Sequence, residues 1–148
     1  MKFSAEDAEI IKGYRRLREI IREVLHDVGD VFRNYNLDED GITYEQGDYF
    51  FLRFFSGDQE ISPGIKLSEK RIIVPVCWVK EDKRCLKLGF RSDPEFKGYM
   101  VKKMDLSPDF FGLDFKDQKK IIVDFFHDVA SRLAAVGIIK QPGYFIAG

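Results

Sequence analysis

The chain has 148 residues and a formal net charge of −1, with 45% hydrophobic and 33% charged residues. Those values suit one folded domain spanning residues 1–148, and they exclude collagen-like, low-complexity and largely disordered classes. No apolar run reaches the roughly 18 to 20 residues a membrane span needs, and residues 1–12 lack a signal-peptide core, so a cytoplasmic chain without a membrane partner is expected.

Ser4, followed by Glu6, Asp7 and Glu9, is a helix start, with a hydroxyl cap and carboxylates where the helix dipole favours them. The apolar stripe Ile10, Tyr14, Leu17, Ile21, Val24, Val28, Val31 and Tyr35 alternates steps of four and three, which keeps it on one face. A helix over residues 4–35 is about 45 Å long, more than one small sheet should cover. Either it breaks near Gly29 or part of its seam meets another chain. The length argument gives Ile10, Tyr14, Leu17 and Ile21 to a dimer seam and Val24 through Tyr35 to the chain's own sheet.

Residues 36–47 read as a loop and 48–55 as a strand apolar on both faces, therefore central or covered on both sides. Residues 56–64, with Ser62-Pro63-Gly64, read as a turn. A second strand over 71–80 is again apolar on both faces, and Pro75 should put it at an edge or give it a bulge. Glu81 and Asp82 are expected to turn the chain into a strand over 84–91, with one wet face carrying Lys87 and Arg91, and 99–106 continues the meander with Lys102 and Lys103. Ser107-Pro108-Asp109 opens a short helical turn. Asp117 is expected to cap a second long helix with the stripe Ile122, Phe125, Phe126, Val129, Leu133 and Val136, closed by Gly137. After a turn at 141–143, Tyr144, Phe145 and Ile146 suggest a short strand or plug. The expected fold is α+β: a long N-terminal helix, an antiparallel meander of about four strands, and a C-terminal amphipathic helix packed on the sheet.

The near-zero net charge conceals a dipolar distribution. Residues 36–60 set Arg53 against Asp38, Glu39, Asp40, Glu45, Asp48, Asp58 and Glu60, whereas 80–103 hold eight basic residues against four acidic ones. The basic cluster Lys87, Arg91, Lys102 and Lys103 is the candidate nucleic-acid contact. Asn36, Asp38 and Asp40 followed by Gly41 resemble the first half of an EF-hand loop, but Gly47 stands where that loop requires a bidentate glutamate. The Glu-x-x-His segment at Glu23 and His26, and the Asp-x-x-His segment at Asp124 and His127, both fall opposite their helices' apolar stripes, so neither suggests a metal site. Several acidic-x-Lys triplets occur, as a charged composition supplies by chance, and those at 81 and 95 fall in turns. The sequence has no Gly-x-Ser-x-Gly, Walker or Rossmann pattern, and the two cysteines, Cys77 and Cys85, read as reduced fillers.

These features favour a non-catalytic binding or regulatory domain acting through protein contact, as a homodimer or with another protein, and requiring no cofactor. A nucleic-acid-associated protein, or a metal-dependent phosphodiesterase built on the acidic loop, is the alternative.

Overall fold

The computed structural model describes residues 5–67 and 73–141, and for residues 5–15 the backbone alone. The expected cap at Ser4 and the expected strand or plug at Tyr144, Phe145 and Ile146 lie outside the described residues.

Helix α1 runs unbroken over Ala5–Arg33, through both Gly13 and Gly29. Of its stripe, Ile21, Val24, Leu25, Val28, Val31 and Phe32 are buried, whereas Leu17 is half-buried at the core's edge. Helix α2 spans Phe115–Ala135 and buries Ile122, Phe126, Val129, Ala130, Leu133 and Ala134. Its cap is Asp114, whose carboxylate accepts from the Asp117 N–H, so Asp117 is inside the first turn instead of before it. Lys119 reaches Asp27 at 3.2 Å and Glu23 at 3.6 Å, and two turns further on Phe126 meets Phe32 at 6.3 Å. The helices therefore run side by side in the same direction.

Both cover one face of an antiparallel sheet. Its strands are β1 (Asp38–Glu39), β2 (Tyr44–Gln46), β3 (Tyr49–Phe51), β4 (Phe54–Ser56), β5 (Gln59–Leu67), β6 (Ile73–Lys80), β7 (Arg91–Ser92) and β8 (Tyr99–Lys103). The order is β1, β4, β5, β6, β8, β7, with β3 also on β5 and β2 on β3. Thus β3 and β4 are two halves of one interrupted strand, and β1 and β2 line its outer edge. Among the described residues there are eight strands where about four were expected.

Three segments differ from the sequence expectation, the first being residues 36–47, expected as a loop, which carry the short edge strands β1 and β2. Residues 59–67 form the longest strand, at the centre of the sheet, where a turn was expected. The Pro63 carbonyl accepts from the Leu52 N–H at 3.0 Å, so the side of Pro63 that lacks an N–H faces the gap between β3 and β4, where no ladder partner is required. Residues 84–90 form no strand, and Arg91 only begins the two-residue β7. Asp82 accepts from the Arg84 N–H and opens a 3-10 helix over Lys83–Leu88, which Gly89 ends at a φ of 91°. Its buried residues are Cys85 and Leu88, three apart as that helix requires, and Leu86 is left 48% exposed. Strand β6 then pairs with β8 instead. Pro75 is in an interior strand, but β8 pairs only from Val76 onward, so the proline lies where that ladder ends.

Candidate functional site

Strand alternation sends Phe50, Phe54, Ile61, Ile65, Cys77 and Val79 to the helices, into the main core. The opposite face carries a second, separate cluster: Tyr49, Phe51, Val76 and Val101 are buried, with Tyr44, Val74, Trp78 and Phe96 packed on them. Trp78 is its centre. Its ring meets Phe51 at 5.1 Å and Tyr99 at 4.9 Å edge-on, and stacks with Phe96 at 5.6 Å and 23°. At one end Arg53 lies over the Tyr44 and Phe55 rings and donates to Glu60 at 2.8 Å, while Tyr99 donates to the other Glu60 oxygen. At the other end Lys66 lies over the Tyr49 ring and pairs with Glu95 at 2.6 Å. Glu60 holds the Arg53 guanidinium above its usual range, and Glu95 does the same for the Lys66 ammonium. Among the described residues, three polar atoms of this face, Tyr49 Oη, Ser62 Oγ and Trp78 Nε1, are buried without a hydrogen-bond partner. Burial drives the Tyr49 phenol well above its ordinary pKa.

The basic residues of the candidate nucleic-acid contact do not form one stripe. Lys87 is exposed on the 3-10 helix and Arg91 lies in β7, so they share no strand. Arg91 donates to the carbonyls of Leu86 at 2.9 Å and Phe90 at 2.7 Å. Lys102 pairs in register with Cys77, which puts it on the helix side of the sheet, and it donates to the Leu88 carbonyl at 2.8 Å. Lys103 lies on the other face, paired with Asp93 at 3.2 Å. Three of the four charged heads are thus engaged within the chain, at sites divided between the two faces.

The acidic segment is tied down in several directions rather than gathered around an ion. Glu45 accepts from Arg18 of α1 at 2.6 Å and Glu39 from Arg33 at 2.9 Å. Asp38 is in β1, while Asp40 takes the Tyr44 hydroxyl and the Ile42 N–H, and the Tyr44 bond holds its carboxyl below the usual range. Between this segment and α1 is a cleft of about 220 Å³, lined by Arg22, His26, Arg33, Glu39, Ile42 and Arg53 among others. Its cations and acids largely offset one another. Among the described residues, His26, Asp27 and Asp30 alone bring metal-ligating atoms together, but Lys119 pairs with Asp27 and Arg33 with Asp30. His26 and His127 are exposed on different helices.

Of the proposed seam, Ile21 is 1% exposed and belongs to the core, Leu17 is half-buried, and the side chains of Ile10 and Tyr14 lie outside the described residues. Beside Ile20 and Ile21, a small apolar groove of about 50 Å³ opens between α1 and the start of α2, lined by Ile73, Phe110, Phe111 and Phe115. Phe111 is 52% exposed at its rim. Among the described residues, no helix is long and apolar enough to cross a membrane.

Comparison with protein-family models, with curated proteins and with solved structures finds no match. Function must therefore be argued from these surfaces. The sequence reading did not assemble Tyr44, Trp78, Phe96 and Tyr99 into one face. The available signal was Phe96, a lone aromatic within the polar turn Asp93-Pro94-Glu95-Phe96-Lys97-Gly98.

The thiols give a pH prediction. Cys77 and Cys85 are free and buried, and burial raises both, Cys77 far above the usual thiol range and Cys85 to about 11. An unfolded thiol ionises near pH 8.5, so this contribution to stability is complete below that pH and is lost as pH rises toward the folded value. Chemical denaturation should show a chain about 4 kcal/mol less stable near pH 10 than near pH 7, roughly 2 kcal/mol from each thiol. Replacing both cysteines by alanine should reduce that difference.

Proposed function

We propose that this chain is a non-catalytic binding domain that acts through protein contact and associates with a second copy of itself along the N-terminal half of α1. The observation that carries this reading is the apolar groove beside Ile20 and Ile21, with Phe111 exposed at its rim, at the point where α1 continues past the start of α2. The backbone is helical for four further turns on that side, and in sequence Ile10 and Tyr14 prolong the same stripe. Exposed aromatic and aliphatic groups around a shallow groove are the usual anchors of a protein interface. A non-catalytic role is favoured because, among the described residues, the carboxylates Asp27 and Asp30 beside His26 are held in ion pairs and both thiols are buried. The reading includes a cytoplasmic location, which two free cysteines favour.

Leu17→Asp tests it. A charge placed in the seam should weaken self-association about a hundredfold, read by sedimentation, while circular dichroism remains that of the folded chain. Val28→Asp, at a position 0% exposed, should instead unfold the domain. If Leu17→Asp also unfolds the chain, the stripe is intrachain core throughout and the dimer reading fails. Oligonucleotide binding that weakens with added salt would return the role to Lys87, Arg91, Lys102 and Lys103.

A further inference from the structure

We infer that the helix-free face of the sheet is a docking site for a partner protein segment that presents an acidic residue followed by an aromatic one, and that the chain's own Glu95 and Phe96 occupy it here. This surface is separate from the α1 seam and does not depend on dimer formation.

The turn between β7 and β8 folds back over the face. Phe96 stacks on Trp78 at 5.6 Å and meets Tyr49 edge-on at 5.2 Å, and Glu95 pairs with Lys66 at 2.6 Å. The turn's backbone bonds are mostly local: Asp93 accepts from the N–H groups of Glu95, at 2.9 Å, and Phe96, at 3.0 Å, and Phe96 accepts from Tyr99 at 3.1 Å. Among the described residues, the recorded backbone bond from the turn to another segment is Glu81 N–H to the Gly98 carbonyl. Side chains therefore hold the turn on the sheet, and the Glu95 carboxylate is 56% exposed, where water competes for its ion pair.

What the turn covers is incompletely satisfied. Among the described residues, Tyr49 Oη, Ser62 Oγ and Trp78 Nε1 are buried with no hydrogen-bond partner, and register puts Ser62 directly opposite Trp78 and Tyr49 opposite Lys66. Buried polar atoms without partners disfavour the covered state. A partner segment can repeat the two contacts that Glu95 and Phe96 make and also bring backbone carbonyls to the Trp78 and Tyr49 donors, which the turn does not supply. The aromatic floor selects the ring, and Lys66 selects the carboxylate beside it.

Trp78 is the single tryptophan, so its emission reports on this face directly. The probe is a synthetic peptide with the sequence of residues 93–98. Added to the Phe96→Ala chain, it should give a saturable change in Trp78 emission, with affinity at least about tenfold higher than for the unmodified chain, whose own turn competes. The change should disappear when alanine replaces the peptide's phenylalanine, or when Lys66→Glu is added to the chain. Glu95→Lys, which retains Phe96 but breaks the ion pair, should also bind the peptide more tightly than the unmodified chain does. The inference is overturned if neither variant shows saturable binding, or if removing Phe96 leaves affinity unchanged. An emission change that depends on protein concentration without peptide would assign the face to a second copy and overturn it as well.

Discussion

Phe32→Ala is expected to remove about 4 kcal/mol of stability, the cost of deleting a large buried ring whose surroundings cannot close around the cavity. Phe32 is 0% exposed, stacks on Phe54 of the sheet at 5.4 Å and meets Phe126 of α2 edge-on at 6.3 Å. It is the point at which both helices and the sheet meet, so no single element can shift to refill the space. A domain of this size has about 5 to 15 kcal/mol in total, which makes the loss a large fraction of it. Urea denaturation followed by far-ultraviolet circular dichroism measures it directly. A loss below about 1 kcal/mol would mean that the two helices and the sheet are not locked together at this residue.

Gly64→Ala is expected to cost about 3 kcal/mol, by overpacking instead of by cavity formation. A methyl group at Gly64 would lie 2.6 Å from the Phe50 carbonyl oxygen and 2.7 Å from the Phe51 Cβ, both on the paired strand β3. Backbone on a neighbouring strand cannot move aside without breaking the ladder. Gly29→Ala is the instructive contrast: there the atoms nearest the added methyl are those at the tip of the flexible Arg33 side chain, at 2.9 Å. The helix gains about 1 kcal/mol of propensity from that change, against an exposed ion pair that is displaced, so the net effect should stay within about 1 kcal/mol of zero. The same urea series on both variants separates the two cases.

Gly64 also shows why part of the fold could not be read from the sequence. Ser62-Pro63-Gly64 has the composition of a turn, and local chemistry alone reads it so. Its place in the central strand depends on two tertiary facts, a gap between β3 and β4 opposite the proline and a close backbone approach opposite the glycine. At Leu86, Leu88 and Phe90 a two-residue alternation gives a strand pattern, but burial follows the three-residue spacing of Cys85 and Leu88. The Asp82 cap and the Gly89 stop are local signals that favour the helix, and they outweigh the short alternation.

The long elements were legible because periodicity extended over many turns. From Leu17 onward the α1 stripe faces the core as its spacing requires, as does the α2 stripe, and β6 is covered on both faces as its apolar residues require. The apolar second face of residues 48–55 and 71–80 was legible too, as a surface requiring cover. What covers it was not, because Phe96 reaches Trp78 and Tyr49 from a turn that is distant from Tyr49 in sequence and contributes a single aromatic residue. Candidate contacts that depended on strand pairing were the least legible. The position of Lys102 followed from an expected partner strand at 84–91, and once β6 pairs with β8 that side chain turns to the helix face.

Self-association is the claim on which the functional account rests, and sedimentation equilibrium of the unmodified chain at micromolar concentration tests it most directly. The account predicts a species of twice the 17.2 kDa chain mass that dissociates on dilution. A mass of one chain at every concentration would contradict it.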